Sequence, residues 1–279
     1  MTRQPTTPCA GLVAGLLIVA CGGRDSSAPP PGAVFRVIYG IDTANTLIRF
    51  SNTAPGAITR AVSISGLQAG EAVLGIDFRP ADGNLYALGS SSRLYTLDTV
   101  SGAATAVGAG SFTPSLDGTR FGFDVNPVED VLRLQSDTRQ NVHLDPASGV
   151  AGADMPVSND TDDVNSGTPP VLVGTAYTNS VTPAPIETVP YAINAATGAL
   201  VRLLAPGDGL SSTVGSLGVA TSGYVGFDIV GPDNRAYVTL TPPTGGPSQL
   251  YSLNLSTGRA TQIGTVGGGA VLRGIAVAP

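Results

Sequence analysis

The sequence predicts an all-β fold closed into a ring, and three observations carry that prediction. The first is a unit of four short strands joined by tight turns. It is clearest in GIDFRPADGNLYALGSSSRLYTLDTVSGAATAVG, from Gly75 to Gly108. The second is its recurrence: glycines at 75, 122, 174, 226 and 274 each open a copy, at a spacing of roughly fifty residues that suits propeller blades. The third is that the two ends are incomplete in complementary ways. The N-terminal copy has three strands and lacks an opening one, whereas the chain finishes on an opening strand with nothing after it, Gly274 to Val277. Joined, they make one whole unit. The expectation is a β-propeller of five four-stranded blades over residues 34–279, sealed by the C-terminal strand, which hides sheet edges that would otherwise invite aggregation.

Taken in order, the chain starts with an address. Arg3 supplies a short positive region, and Ala10 to Ala20 is an apolar run too short for a stable membrane span. It ends in Ile18-Val19-Ala20-Cys21, which resembles a bacterial lipobox. Small residues before the cut let a peptidase grip the chain, and the thiol takes the lipid. Residues 1–21 are therefore expected to be a lipoprotein signal with Cys21 acylated. Cys9 lies in the removed part, so the mature chain has no disulfide partner. Residues 22–33, polar and Pro-rich, read as a tether. Gly22 stands where an inner-membrane retention signal would place Asp, which points to the outer membrane.

Val37–Ile41, Thr46–Phe50 and Ile58–Ile64 alternate as strands. In the clear copy the strands are Gly75–Phe78, Asn84–Leu88, Arg93–Asp98 and Ala103–Val107, with Asp-Gly and Ser-Gly in the turns, dipeptides that supply the positive φ hairpins need. Phe121–Pro127, Val131–Ser136, Asn141–Asp145 and Val150–Ala153 form the next copy. Gly174–Tyr177, Pro190–Asn194, Ala199–Leu204 and Ser212–Leu217 follow. Gly226–Ile229, Ala236–Thr241, Gln249–Asn254 and Ala260–Gly264 complete the series.

Composition narrows the function. With 37 glycines, 22 prolines and 12% charged residues, the chain suits many turns between short strands better than disorder, which goes with high charge. A net charge of −6 disfavours nucleic acid, which needs basic stripes to displace counterions. Tryptophan is absent, which lowers the odds of a sugar-stacking platform. A monomer tethered to the membrane through its lipid is expected, with an envelope protein or glycan as partner.

GLQAGEAVLGIDFRPADGNLYALGSSSRLYTLDTVSGAATAVG, FGFDVNPVEDVLRLQSDTRQNVHLDP and LYSLNLSTGRATQIGTVGG resemble the bacterial secreted family known as domain of unknown function 4394 (DUF4394). The likeness covers nearly the whole mature chain. It implies a propeller-like exported lipoprotein and adds no reaction, since the family has no established activity.

Asp77, Asp124 and Asp228 hold the same place in three opening strands, the strands that line a propeller's axis. Alternation turns Gly75 and Asp77 one way and Ile76 and Phe78 the other. These carboxylates are candidates for a cation or a ligand amine. Equally, each would serve to accept backbone amides of a neighbouring blade, as buried polar groups must be satisfied. Asn159 to Gly167 is the most acidic stretch, and Asp160, Asp162 and Asp163 suggest a calcium loop. It lacks the central glycine and distant glutamate of an EF-hand, so a solvated loop is the stronger reading. Calcium is the one cofactor these two sites suggest. His143 is the only histidine and no nucleophile elbow accompanies it, which argues against a hydrolytic triad and against a multi-histidine metal site. Ser136 to Asn141 is a polar turn, with Arg79 and Arg133 nearby in the repeat. The function expected is a non-catalytic binding or scaffold module on the envelope. The alternatives are an extracytoplasmic hydrolase of glycans or lactones using the axial carboxylates, and a purely structural surface protein.

Overall fold

The structure, a computed structural model, describes residues 1–2 and 34–279. Cys21, the apolar run and the tether lie outside the described residues. Among the described residues no helix is long and apolar enough to cross a membrane.

The first blade receives β1 (Val37–Asp42), β2 (Thr46–Ser51) and β3 (Arg60–Ser63). The second is β4 (Val73–Phe78), β5 (Leu85–Gly89), β6 (Arg93–Leu97) and β7 (Ala104–Val107). The third is β8 (Phe121–Asn126), β9 (Val131–Ser136), β10 (Asn141–Leu144) and β11 (Ala151–Ala153), followed by a two-residue strand, β12 (Ser158–Asn159). The fourth is β13 (Leu172–Tyr177), β14 (Pro190–Asn194), β15 (Ala199–Ala205) and β16 (Leu210–Ser216). The fifth is β17 (Val225–Ile229), β18 (Ala236–Leu240), β19 (Gln249–Leu253) and β20 (Ala260–Thr265). The chain closes with β21 (Leu272–Val277).

β21 pairs antiparallel with β1, Tyr39 opposite Ala276 and Ile41 opposite Gly274, and so completes the first blade. The inner strands β4, β8, β13, β17 and β21 touch in succession, and β21 returns to β4. The ring is closed, and the fold is a β-propeller of five four-stranded antiparallel blades. β12 is an addition: it runs parallel to β16 at the outer edge of the fourth blade, inside a stretch whose polarity reads as plain loop.

Three inner strands begin two residues before their glycine, at Val73, Leu172 and Leu272. In β4 and β13 the ladder slips between Val73 and Gly75 and between Leu172 and Gly174. A bulge lets the strand continue through the glycine, so the glycine marks a kink, not a start. The outer hairpins repeat one device. Asp98, Asp145 and Asn254 each accept two turn amides through Oδ1. Each turn then closes on a glycine, Gly102, Gly149 or Gly258, at φ 76°, 70° or 77°, a region that glycine enters without a steric penalty.

Apolar side chains alternate inward and fill the seams between blades. Ile41, Leu47, Ile76 and Tyr95 pack between the first and second blades; Leu88, Phe123 and Leu134 between the second and third. Ile193, Phe227 and Val238 fill the seam between the fourth and fifth, and Ile38, Phe50 and Leu250 that between the fifth and first. The seam between the third and fourth blades differs. Its apolar cluster is small, Val157, Leu172, Ala192, Val201 and Leu203, and polar side chains cross it.

Candidate functional site at the propeller axis

Five inner strands leave little space at the axis. A Cβ built on Gly226 would lie 2.6 Å from the Ile275 nitrogen and 2.8 Å from the Gly274 carbonyl carbon. One on Gly122 would lie 2.7 Å from the Thr175 nitrogen, and one on Gly75 2.7 Å from Phe123 Cβ. At Gly122 and Gly226 the neighbouring backbone leaves no room for a Cβ, and at Gly75 and Gly174 neighbouring side chains fill the place. The gap that remains among them, lined by Gly75, Phe123, Gly174, Gly226 and Gly274, holds about 10 Å³. The axis lined by these strands is therefore stoppered here, with no open pore through it among the described residues.

Beyond the glycines, two residues along each strand, sit Asp77, Asp124 and Asp228. They are 5%, 1% and 5% exposed, and one carboxylate oxygen of each lies within 4.8 Å of the other two. Each also grips the next blade. Asp77 Oδ2 accepts the Val125 amide at 2.9 Å, Asp124 Oδ1 the Tyr177 amide at 3.1 Å, and Asp228 Oδ2 the Val277 amide at 2.5 Å. The acceptor role and the clustered-carboxylate role thus coincide in one set of residues. Ala176 and Ala276 take the equivalent places in β13 and β21, so the ring of carboxylates is partial.

Packing three carboxyls into so dry a place raises their pKa values. Burial is the main cause for all three. For Asp77 the Asp228 charge adds to it, against the lowering effect of the Val125 and Phe78 amides. For Asp124 both neighbours' charges add, and it too sits well above the usual carboxylate range. Asp228 is raised to about 6, held back by the Val277 and Ile229 amides. The folded state therefore binds protons more tightly than the unfolded chain. That stability is present below the ordinary value of 3.8 and declines as pH rises through about 6 for Asp228 and further for the other two. For Asp228 alone the difference is on the order of 3 kcal/mol. Asp124→Asn keeps an oxygen for the Tyr177 amide and removes one charge. In metal-free buffer it is expected to unfold at higher urea than wild type near pH 7, with the gap closing toward about pH 4. Parallel urea curves at several pH values measure this, and a gap independent of pH would contradict it.

Two of the three aspartates, Asp77 and Asp228, face a cavity of about 480 Å³ at the mouth of the ring, and Asp124 lies behind them. Asp77 and Asp228 line its floor, with Phe78, Val181, Ile229 and Val230 among its walls. Arg36 and Arg79 stand on its sides. Arg79 pairs with Asp130 and, at 2.8 Å, with Asp82, and Arg36 with Asp233 at 3.0 Å. The opposite end of the axis is basic, where Arg120 stacks 3.9 Å from the Tyr224 ring beside Arg273.

The other candidates are placed as follows. Asp160, Asp162 and Asp163 are not gathered around one point; among the described residues the cluster of three ligating groups is the axial one. Asp163 binds the Thr213 amide and, at 3.0 Å, its hydroxyl, fastening the loop to β16. Asp160 accepts the Asp162 amide at 3.0 Å. His143 alternates away from the buried Val142 and Leu144 and meets Asp154 Oδ2 through Nδ1 at 2.9 Å. In the polar turn Arg139 takes a φ of 74° and donates from Nε to the Val157 carbonyl at 2.8 Å. Arg36 was not singled out in the sequence, and no local pattern marks it: the last strands of the ring bring the mouth cavity to it.

The sequence matches the family described as Domain of unknown function (DUF4394) over residues 46–276. The chain belongs to the DUF4394 family. No curated protein matches it in sequence. Among solved structures, the DUF4394 chain is similar to one in a nidogen/laminin complex: 11% identity, 88% of this chain and 99% of that one, TM-score 0.48. It is also similar to an auxiliary nutrient binding protein from Bacteroides ovatus, with 11% identity over 63% of this chain and 46% of that one, TM-score 0.42. A glutaminyl cyclase from Myxococcus xanthus shares 14% identity over 69% of this chain and 76% of that one, TM-score 0.44. At these scores the likenesses add nothing on function.

Proposed function

We propose that this DUF4394 chain is a non-catalytic binding module of the bacterial cell envelope, in which the mouth cavity takes the ligand and the axial carboxylates hold its cationic part. The observation that carries the reading is the convergence of three buried carboxylates within 4.8 Å beside a cavity of about 480 Å³. Oxygens at about 2.4 Å from a common calcium ion lie no more than about 4.8 Å apart. The cluster meets that condition, and a divalent ion or a ligand amine would offset the cost of burying the carboxylates in their charged form and the repulsion among them. A hydrolase would need two carboxyls free to exchange protons with a substrate between them. Here all three already accept a structural amide and are almost fully buried, which favours binding over turnover.

Thermal unfolding of the tether-free domain tests this. Calcium is expected to raise Tm saturably near pH 7, and a chelator to reverse the rise. Asp124→Asn should abolish most of the calcium effect while leaving a folded ring. Calcium indifference in wild type, with indifference to magnesium, manganese and alkylamines, would sink the proposal. Turnover of glycoside or lactone substrates that Asp124→Ala abolishes would favour the hydrolase instead.

The envelope location rests on the lipobox-like Ile18-Val19-Ala20-Cys21. In cells fed a labelled fatty acid, the full chain is expected to carry label in the outer-membrane fraction and Cys21→Ala to carry none. Equal labelling of the two would remove the anchor from the proposal.

A further inference from the structure

We propose a second binding site, separate from the axis, in the seam between the third and fourth blades, and we infer that it takes a small apolar zwitterion: an amino acid, or a short peptide with its two oppositely charged ends. The seam opens into a cleft of about 640 Å³. Two buried groups at its base lack partners among the described residues. Tyr177 is fully buried, and its hydroxyl lies beside the Arg133 guanidinium without a well-formed hydrogen bond; Arg133, 4% exposed, leaves its Nε unpaired. Such orphans are costly in a native fold and call for an explanation.

The rest of Arg133 is fixed. Its Nη1 donates to Asp154 Oδ2 at 2.6 Å, to Asn141 Oδ1 at 3.2 Å and to the Pro206 carbonyl at 3.4 Å. That holds the guanidinium in place and leaves its Nε side uncommitted. A planar carboxylate suits a guanidinium edge supported by a hydroxyl donor. The cleft also carries Glu129 and Glu187 on its walls, with Arg202 opposite in sign. A bare anion would meet both glutamates, and a bare cation would meet Arg133. A ligand bearing both charges matches both. Val128 and Leu204, exposed and apolar, also line the cleft, and they supply a surface for an apolar side chain.

Calorimetric titration of the intact domain tests the site. The probes are L-leucine and the dipeptide Leu-Leu, with 4-methylpentanoate, which lacks the ammonium, and isoamylamine, which lacks the carboxylate. Leucine or Leu-Leu is expected to bind saturably at millimolar concentration, and whichever binds more tightly identifies a free amino acid or a peptide as the source. The two single-charge probes should bind about tenfold more weakly or not at all. Tyr177→Phe removes a hydroxyl that makes no well-formed hydrogen bond within the fold, so it should leave Tm near wild type and weaken the zwitterion about tenfold. Glu129→Gln should weaken it as well while leaving 4-methylpentanoate unaffected. Arg133→Met also strips Asp154 and Asn141 of a partner, so its binding loss counts only if the melt stays cooperative. No saturable binding of either zwitterion, or binding that Tyr177→Phe and Glu129→Gln both leave unchanged, would overturn the proposal. Asp228 grips the Val277 amide and touches neither Tyr177 nor Arg133, so Asp228→Asn should bind leucine as wild type does, and this separates the two sites.

Discussion

Deleting residues 272–279 is expected to leave a chain that does not form the ring. β21 is the innermost strand of the first blade although it comes last in sequence. Its loss strips β1 of a whole ladder, including the Ile38–Val277 and Gly40–Ile275 pairs. It also removes Leu272, Ile275 and Val277 from the core, each 6% exposed or less. Three such side chains contribute about 5–9 kcal/mol between them, against a total stability of about 5–15 kcal/mol for a typical domain. Asp228 simultaneously loses the Val277 amide, leaving a buried carboxyl with less to hold it. The truncated chain should show no cooperative melt and should elute as aggregate in size exclusion, because β1 and the flanks of β4 and β17 become open surfaces. A soluble monomer with an unchanged melt would mean that closure contributes little. The milder Ile275→Ala should keep the ring and lower its stability by about 2–5 kcal/mol.

The second large effect is at the glycines of the axis. Gly226→Ala places a methyl 2.6 Å from the Ile275 nitrogen and 2.8 Å from the Gly274 carbonyl carbon. These are backbone atoms of the closing strand, which no rotamer change can move aside. Gly122→Ala meets the Thr175 nitrogen and Gly174 carbonyl carbon at 2.7 and 2.8 Å, and would also crowd the Thr175 hydroxyl out of its 2.5 Å bond to Gln135. Overpacking of this kind costs about 1–3 kcal/mol, occasionally more. For a chain of this size that is a fall in Tm of roughly 3–10 °C. Gly110→Ala is the control: the site has an ordinary φ and its nearest neighbour is a flexible arginine tip at 4.0 Å, so Tm should not change. A wild-type melt for Gly226→Ala would show that the inner strands have slack that the structure does not contain.

Much of the fold was legible because local signals and global closure agree. Val131–Ser136 and Pro190–Asn194 are strands over the expected residues, since alternation and turn residues bound them on both sides. The bulged starts of β4 and β13 were not legible: a glycine reads as punctuation, and only the ladder shows the strand running through it. β12 was hidden for a different reason. Two polar residues have no periodicity, and what makes them a strand is the neighbouring edge of β16. The equivalence of Asp77, Asp124 and Asp228 could be seen from the repeat. Their approach to within 4.8 Å could not, since it depends on how tightly five strands crowd one axis.

Sequence alone determined the repeat, its number, the turn chemistry and the need for the two chain ends to meet, because each of these is set by side-chain alternation and backbone freedom within a few residues. The tertiary structure alone decided that the axis is stoppered by glycine contacts, that its carboxylates share one dry space beside a cavity, and that one seam of five is polar and open. Those properties arise from distances between residues that lie a blade or more apart, and no local pattern encodes the gap between two surfaces until both have folded.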